Sequence, residues 1–224
     1  MTEIEYKIYI DDVVRRVEFA RLQVSEHHIV KTIAVSKYST SDEIAKLYNI
    51  GQRAYGENKV QDLKAKSQEL EELPLEWHFI GNLQKNKINN LLDIRPSLFH
   101  ALDSIELAQE LQKKLEAKNM TLNTLMQINS AKEESKHGFM PEDAIQAYKE
   151  IQKICPNIKL KGVMSIGAHS DDRATIKKSF ETTHNIYKQL DGATICSMGM
   201  SGDFELAIAC GSNMVRLGSV MFNK

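Results

Sequence analysis

Short β-prone runs alternate with longer amphipathic segments along the whole chain. That alternation restricts the fold more than any other feature of the sequence. The β-prone runs are HIVKTIAVSK (28–37), RAYGE (53–57), EWHFIG (76–81), SLFHAL (97–102), TLMQIN (124–129), LKGVMSIG (160–167), ATICSM (193–198) and NMVRLGS (213–219). Each is dominated by β-branched, aromatic or other apolar residues over a strand-like length. Between them lie segments with helical spacing. In 103–118, Leu107, Leu111 and Leu115 recur every four residues, and Ile105 and Ala108 fill the same stripe. On the wet side Glu110 and Lys114 stand at ion-pair spacing. Thr40-Ser41-Asp42-Glu43 predicts a capping box that opens a helix, and Asp103 with Glu106 a weaker one led by aspartate. The stretches 57–70, 84–92, 140–154, 173–190 and 203–210 read as helices too, and an N-terminal helix is expected at about 11–26.

Eight strands alternating with eight helices require parallel pairing through right-handed crossovers. In 224 residues, near the lower end of the usual size of about 250, eight such units predict a closed (β/α)8 barrel. An α/β chain of this pattern could instead form an open doubly wound sheet. No Pro-, Gly- or Ser-rich linker divides it, so one domain spanning 1–224 is expected. In either architecture reactive residues belong just past the C-terminal ends of the strands.

Composition removes several function classes. Lys+Arg 29 against Asp+Glu 30 leaves a formal net charge of −1, so no nucleic-acid partner is expected. Cys155, Cys196 and Cys210 form no CxxC pair and no disulfide framework. The first residues carry no apolar signal core, and no apolar run approaches membrane-spanning length, so the expected setting is cytoplasmic, with no membrane partner. The seven histidines show no HExxH and no convergent carboxylates, and no metal site is expected.

Three features could carry chemistry. Lys37 closes the apolar run 32–36. A partly desolvated amine there would have a lowered pKa and could attack a carbonyl to form a Schiff base, although on this feature alone a solvated lysine at a strand end is the readier reading. Ser197-Met198-Gly199-Met200-Ser201-Gly202-Asp203 precedes the helix-like FELAIACG, and such small residues let backbone N–H groups approach an anion. It is neither a Walker motif nor GxGxxG. Arg216-Leu217-Gly218-Ser219 ends the last strand, and strand alternation puts Arg216 and Gly218 on one face. In β/α barrels the loops after strands seven and eight frequently bind phosphate. Asn58 and His78 are further strand-end candidates, His78 reading more readily as a core histidine, and Lys85-Asn86-Lys87 reads as a solvated helix face. A Schiff-base lysine beside a phosphate cradle implies an aldehyde carrying a phosphate. Pyridoxal 5′-phosphate fits that description, and so does the sugar-phosphate substrate of an aldolase.

The segments IAVSKY (33–38), YGENKVQD (55–62), WHFIGNLQKNK (77–87), KHGF (136–139), LKGVMSIG (160–167) and SMGMSGDFELAIACGSNMVRLGS (197–219) together resemble the pyridoxal-phosphate homeostasis protein family, which is related in fold to the N-terminal barrel of alanine racemase. The resemblance runs essentially end to end, departing at Asn82, Lys85 and Gly167. It implies a single barrel that holds pyridoxal 5′-phosphate as an internal aldimine on Lys37, beside Asn58 of a GEN motif. It also implies a phosphate held by the Ser201 hydroxyl and the Gly218 and Ser219 amides, with Arg216 facing the pyridine nitrogen. An arginine there leaves that nitrogen unprotonated and the ring a poorer electron sink. Racemisation needs acid–base groups on both faces of the substrate. The racemase takes its second base from a further domain of the partner subunit, for which this chain has no room beyond Ser219. The expected function is therefore a carrier in vitamin B6 homeostasis, handing the cofactor to apo-enzymes with little or no catalysis, and a monomer. A monomeric amino-acid racemase using His78 or a tyrosine is the rival.

Overall fold

The computed structural model describes residues 1–133 and 136–222. Eight parallel strands close into a barrel in sequence order: β1 (Lys31–Val35), β2 (Ala54–Glu57), β3 (Glu76–Phe79), β4 (Leu98–Leu102), β5 (Leu122–Ile128), β6 (Ile158–Ser165), β7 (Ile195–Ser197) and β8 (Met214–Leu217). β8 closes on β1 through four register pairs, from Lys31 opposite Met214 to Ala34 opposite Leu217. The open sheet is thereby excluded. β2, β4 and β8 are buried at every position, as expected of parallel strands covered on both faces.

The outer ring is α1 (Glu3–Leu22), α2 (Ser41–Asn49), α3 (Val60–Glu69), α4 (Ile88–Ile94), α5 (Ile105–Ala117), α6 (Ala144–Ile154), α7 (Arg173–Tyr187), α8 (Phe204–Ala209) and a terminal turn α9 (Ser219–Phe222). Lys85–Lys87 forms a 3-10 turn ahead of α4. The Thr40–Glu43 capping box forms as expected. α5 buries Leu107, Ala108, Leu111 and Leu115 as its spacing requires.

Three local expectations are corrected. α1 starts eight residues before the anticipated Asp11, because Thr2 and Glu5 form a capping box that nucleates it earlier. Ser104, not Asp103, caps α5, its Oγ accepting from Leu107 N at 3.2 Å. Glu110 pairs with Lys113, one residue nearer, at 2.8 Å, rather than with Lys114.

The seam between β7 and β8 is the thinnest in the barrel wall, with a single register pair, Ser197 opposite Met214. The fully buried Ser212 hydroxyl reinforces it. It accepts from Met198 N at 3.1 Å and has the carbonyls of Cys196, Met198 and Met214 within 2.8–3.1 Å for its one proton. Asn213 adds a clip, its side chain accepting from Cys196 N and donating to Thr194 O, both at 2.8 Å.

Candidate functional site

The C-terminal mouth of the barrel opens into a cavity of about 850 Å³. Lys37, Asn58, Ser201, Arg216, Gly218 and Ser219 all line it. Arg216 lies on β8 itself, the others on loops that leave β1, β2, β7 and β8, and they converge because the barrel closes β8 against β1.

Lys37 does not lie on a strand. β1 ends at Val35, and Lys37 is the second residue of a turn closed by Ser39 N donating to Ser36 O at 2.8 Å. Its side chain is exposed, not desolvated, and its amine lies 5.0 Å from the Tyr38 ring centroid. The strand fails to extend because Ser36 is drawn into a buried polar cluster. Ser36 N donates to Gly56 O at 3.0 Å and Ser36 Oγ to Glu57 Oε1 at 2.7 Å, while Lys66 Nζ donates to Ser36 O at 2.8 Å and to Glu57 Oε1 at 2.7 Å. Glu57 is fully buried, and its Oε2 has no hydrogen-bond partner. The backbone next to Lys37 is thus fixed while its amine stays free to reach into the cavity.

Arg216 is 4% exposed, in the barrel interior rather than on the surface. Nη1 donates to Ser197 Oγ at 2.7 Å and Nη2 to the Ser165 carbonyl at 2.9 Å. Both partners are neutral. Among the described residues no carboxylate lies within ion-pair distance of this guanidinium. Burial pulls it down to about 10, against the opposing field of Asp203. A buried cation without a counter-ion is costly, and a guanidinium has five N–H donors, of which two are engaged here.

The β7 loop turns at Gly199, whose φ of +94° favours glycine. Gly199 O accepts from Arg216 N at 3.0 Å, and Asp203 Oδ1 accepts from Met200 N at 2.6 Å, so the turn is tied to β8 and to itself. Burial pushes the Asp203 carboxyl up. Ser201 Oγ accepts from Gly218 N at 3.1 Å, which brings the hydroxyl of one loop and an amide of the other to one point. α8 has only six residues and no side-chain N-cap bond, so backbone amides, not a helix field, are what this corner offers an anion. Opposite, Gly81 lets two backbones meet, since a Cβ there would lie 2.0 Å from Asn58 O.

His78 is 1% exposed and is not among the residues that line the cavity. Its Nδ1 meets His100 Nε2 at 2.8 Å, and its Nε2 meets Glu76 Oε1 at 2.9 Å, which Lys31 Nζ also contacts at 2.5 Å. It is a satisfied core histidine. Burial lowers His78 despite the Glu76 bond, and burial holds His100 well below the ordinary imidazole range. The supporting roles of Glu57, Lys66, Ser165 and Ser197 escaped the sequence reading, which took Ser197 only as part of a small-residue turn. A carboxylate in a β-prone run, at the end of β2, was the signal for the first.

The residues present fit a phosphorylated aldehyde with an aromatic nitrogen: an amine, a hydroxyl–amide corner, and a buried donor with N–H groups to spare. Among the described residues no group of three His, Cys, Asp or Glu side chains is placed to hold a metal ion, and no helix is long and apolar enough to cross a membrane.

A family model described as alanine racemase, N-terminal domain, matches residues 19–223. A Helicobacter pylori (strain J99) protein named pyridoxal phosphate homeostasis protein is 52% identical over 221 residues, covering 99% of this chain and 100% of the relative. The structure of PipY from Synechococcus elongatus, solved with pyridoxal phosphate bound, superposes with a TM-score of 0.79 at 30% identity, over 92% of this chain and 99% of PipY. An alanine racemase from Clostridium difficile shares the fold at 18% identity, with a TM-score of 0.70 over 94% of this chain and 56% of the racemase.

Proposed function

Since the chain belongs to the pyridoxal phosphate homeostasis protein family, we propose that it binds pyridoxal 5′-phosphate at the C-terminal mouth of a single 1–224 barrel domain and serves vitamin B6 homeostasis in the cytoplasm. The observation that carries this reading is Arg216, a buried cation with no carboxylate in contact, in the wall of the cavity that also holds Lys37 and the Ser201–Gly218 corner.

Each residue has a role. When bound, the cofactor supplies an electrophilic aldehyde. Lys37 would hold that group, its amine condensing with the aldehyde carbon so that C=N replaces C=O and the oxygen leaves as water. Ser201 Oγ and the Gly218 and Ser219 amides hold the phosphate, the Ser201 hydroxyl exchanging its bond from Gly218 N for one to a phosphate oxygen. Arg216 donates a spare N–H to the pyridine nitrogen, and Asn58 packs beside the ring.

The role is holding and delivery to apo-enzymes, with little or no catalysis. The exposure of Lys37 at an open mouth supports hand-over, because an acceptor lysine can approach the same carbon. The chemistry of the cavity wall supports a low turnover. Lys37 and Tyr38 are neighbours in the chain and share one side of the cavity, whereas racemisation needs proton donors on opposite faces of the substrate.

Incubation of the loaded protein with L-alanine in deuterium oxide tests the carrier reading. The expected result is negligible exchange and inversion at the α-carbon, and fast exchange with inversion would establish a racemase instead. Lys37→Ala is expected to abolish the borohydride-reducible adduct with the fold intact. A surviving adduct would move the attachment to another lysine.

A further inference from the structure

Three exposed apolar side chains stand around the cavity mouth, and none of the roles assigned above uses them to bind. Tyr38, Ile166 and Met200 are 79%, 38% and 41% exposed, and all three line the cavity. Among the described residues, five exposed large hydrophobic side chains lie beyond residue 24, and three of the five meet at this one opening, so the exposure there is a cluster and not scatter. They come from three separate loops, Tyr38 just after β1, Ile166 directly after β6 and Met200 just after β7. Their backbone is fixed at two of the three points. Met200 N donates to Asp203 Oδ1 at 2.6 Å and Met200 O accepts from Phe204 N at 2.9 Å, while Tyr38 lies inside the turn that Ser39 N closes on Ser36 O.

The chain's own lysine shows what chemistry this rim receives. Lys37 Nζ lies 5.0 Å from the Tyr38 ring centroid, within the range of cation–π attraction. A lysine side chain is a compact cation on a flexible apolar stem of four carbons. An aromatic face flanked by two aliphatic side chains suits both of its parts, the ring for the head and the flanks for the stem. When Lys37 is engaged in the cavity, the same ring can receive a second group of the same kind. The charges of the lining agree with this. Its charged residues are Lys37 and Arg216, so among the described residues no carboxylate in the cavity wall competes with the ring for an incoming ammonium.

We propose that Tyr38, Ile166 and Met200 receive the incoming amine during hand-over and select primary alkylamines on apolar stems, the class to which a lysine side chain belongs. The inference rests on the reading of the cavity as a site that passes its aldehyde to an acceptor. The Tyr38 ring holds the ammonium, and Ile166 and Met200 cover the stem. The ammonium gives one proton to water at the open mouth. Its nitrogen then bonds to the carbon held by Lys37, the bond from that carbon to Lys37 Nζ breaks, and a second proton passes from the incoming nitrogen to Nζ. The three rim side chains are positioning residues, which set the amine that arrives and leave the exchange itself to Lys37.

Methionine-methyl NMR of the unloaded Lys37→Ala protein tests this reception without the cofactor, with Met200→Leu on the same background identifying the Met200 signal. Titration with hexylamine is expected to shift that signal and to saturate. An ether amine of the same chain length is expected to bind several-fold more weakly. Tyr38→Phe keeps the aromatic face and is expected to bind hexylamine like Lys37→Ala alone, whereas Tyr38→Leu is expected to weaken it about two- to fivefold. In the loaded protein with Lys37 present, the rate of cofactor loss to the two amines, followed by absorbance, is expected to keep the same order. A Met200 signal that does not move, equal affinity for the two amines, or Tyr38→Leu binding as tightly as Tyr38→Phe overturns the proposal. A parent that takes up no cofactor, while the Lys37→Ala protein binds the amines in the expected order, would overturn the cofactor reading and uphold the amine rim.

Discussion

Ser212→Ala probes the weakest seam of the barrel. β7 and β8 share one register pair, and the buried Ser212 hydroxyl adds to the few backbone bonds and the Asn213 clip that join them. The substitution removes one donated bond, shared among three carbonyls, and one accepted bond from Met198 N. Met198 N retains its bond to Met214 O at 3.1 Å, so it is not orphaned. The loss is then about one net hydrogen bond of roughly 1 kcal/mol plus partial desolvation of a carbonyl of similar size, together about 2 kcal/mol. For a domain of this length each kcal/mol lowers the melting temperature by about 2–4 °C, so a drop of about 4–8 °C is expected by calorimetry. The seam also carries both anion-binding loops, and the affinity for pyridoxal 5′-phosphate is expected to fall with it. Ser67→Ala serves as the control, because its exposed hydroxyl bonds only Lys64 O within α3. If Ser212→Ala melts within about 1 °C of the parent while Ser67→Ala does not differ from it, the claim that this hydroxyl reinforces the seam is refuted.

Other outcomes follow from the same geometry. Lys66→Met strands the buried Glu57 carboxylate and is expected to cost about 3–5 kcal/mol in urea denaturation, whereas Glu57→Gln/Lys66→Met recovers most of it; equal losses in both would show that the pair does not anchor the Lys37 turn. Gly81→Ala drives a Cβ into the Asn58 carbonyl and is expected to lose several kcal/mol and cofactor binding, while Gly202→Ala, with open space around its Cβ, stays within about 0.5 kcal/mol of the parent; comparable melting of the two variants would contradict the close approach. Stability is expected to fall on acidification in two stages. His78 and His100 have lowered folded-state pKa values, so below the ordinary 6.5 the unfolded chain binds more protons and stability declines. Glu76, held at about 2 chiefly by its His78 bond, adds a second loss as pH falls below 4.5. An unchanged urea midpoint between pH 7.5 and pH 5.5 would exclude the histidine contribution.

Much of this was legible without coordinates because it depends on periodicity. Eight apolar runs and their intervening stripes predict a β/α barrel with an open sheet as the alternative, and closure brings Lys37 on the first strand's loop to Arg216 on the last. The fate of Lys37 was not legible. The run 28–37 reads as a strand through to its end, but the strand stops at Val35 since Ser36 finds better partners in Glu57 and Lys66, twenty-one and thirty residues away. The sequence places Arg216 on one strand face with Gly218, and only the partners Ser165 and Ser197, each on another strand, set it in the barrel interior. The early start of α1 was missed because its inward face, Tyr6, Val13 and Val17, competes with an equally apolar outward one. Two stripes on one helix blur the single period on which a boundary depends.

Borohydride reduction of the loaded protein, followed by proteolysis and mass spectrometry of the peptides, addresses the central claim most directly. The account predicts a single pyridoxyl-phosphate mass addition on the peptide containing Lys37. The same addition on a different lysine, with the Lys37 peptide unmodified, would contradict it.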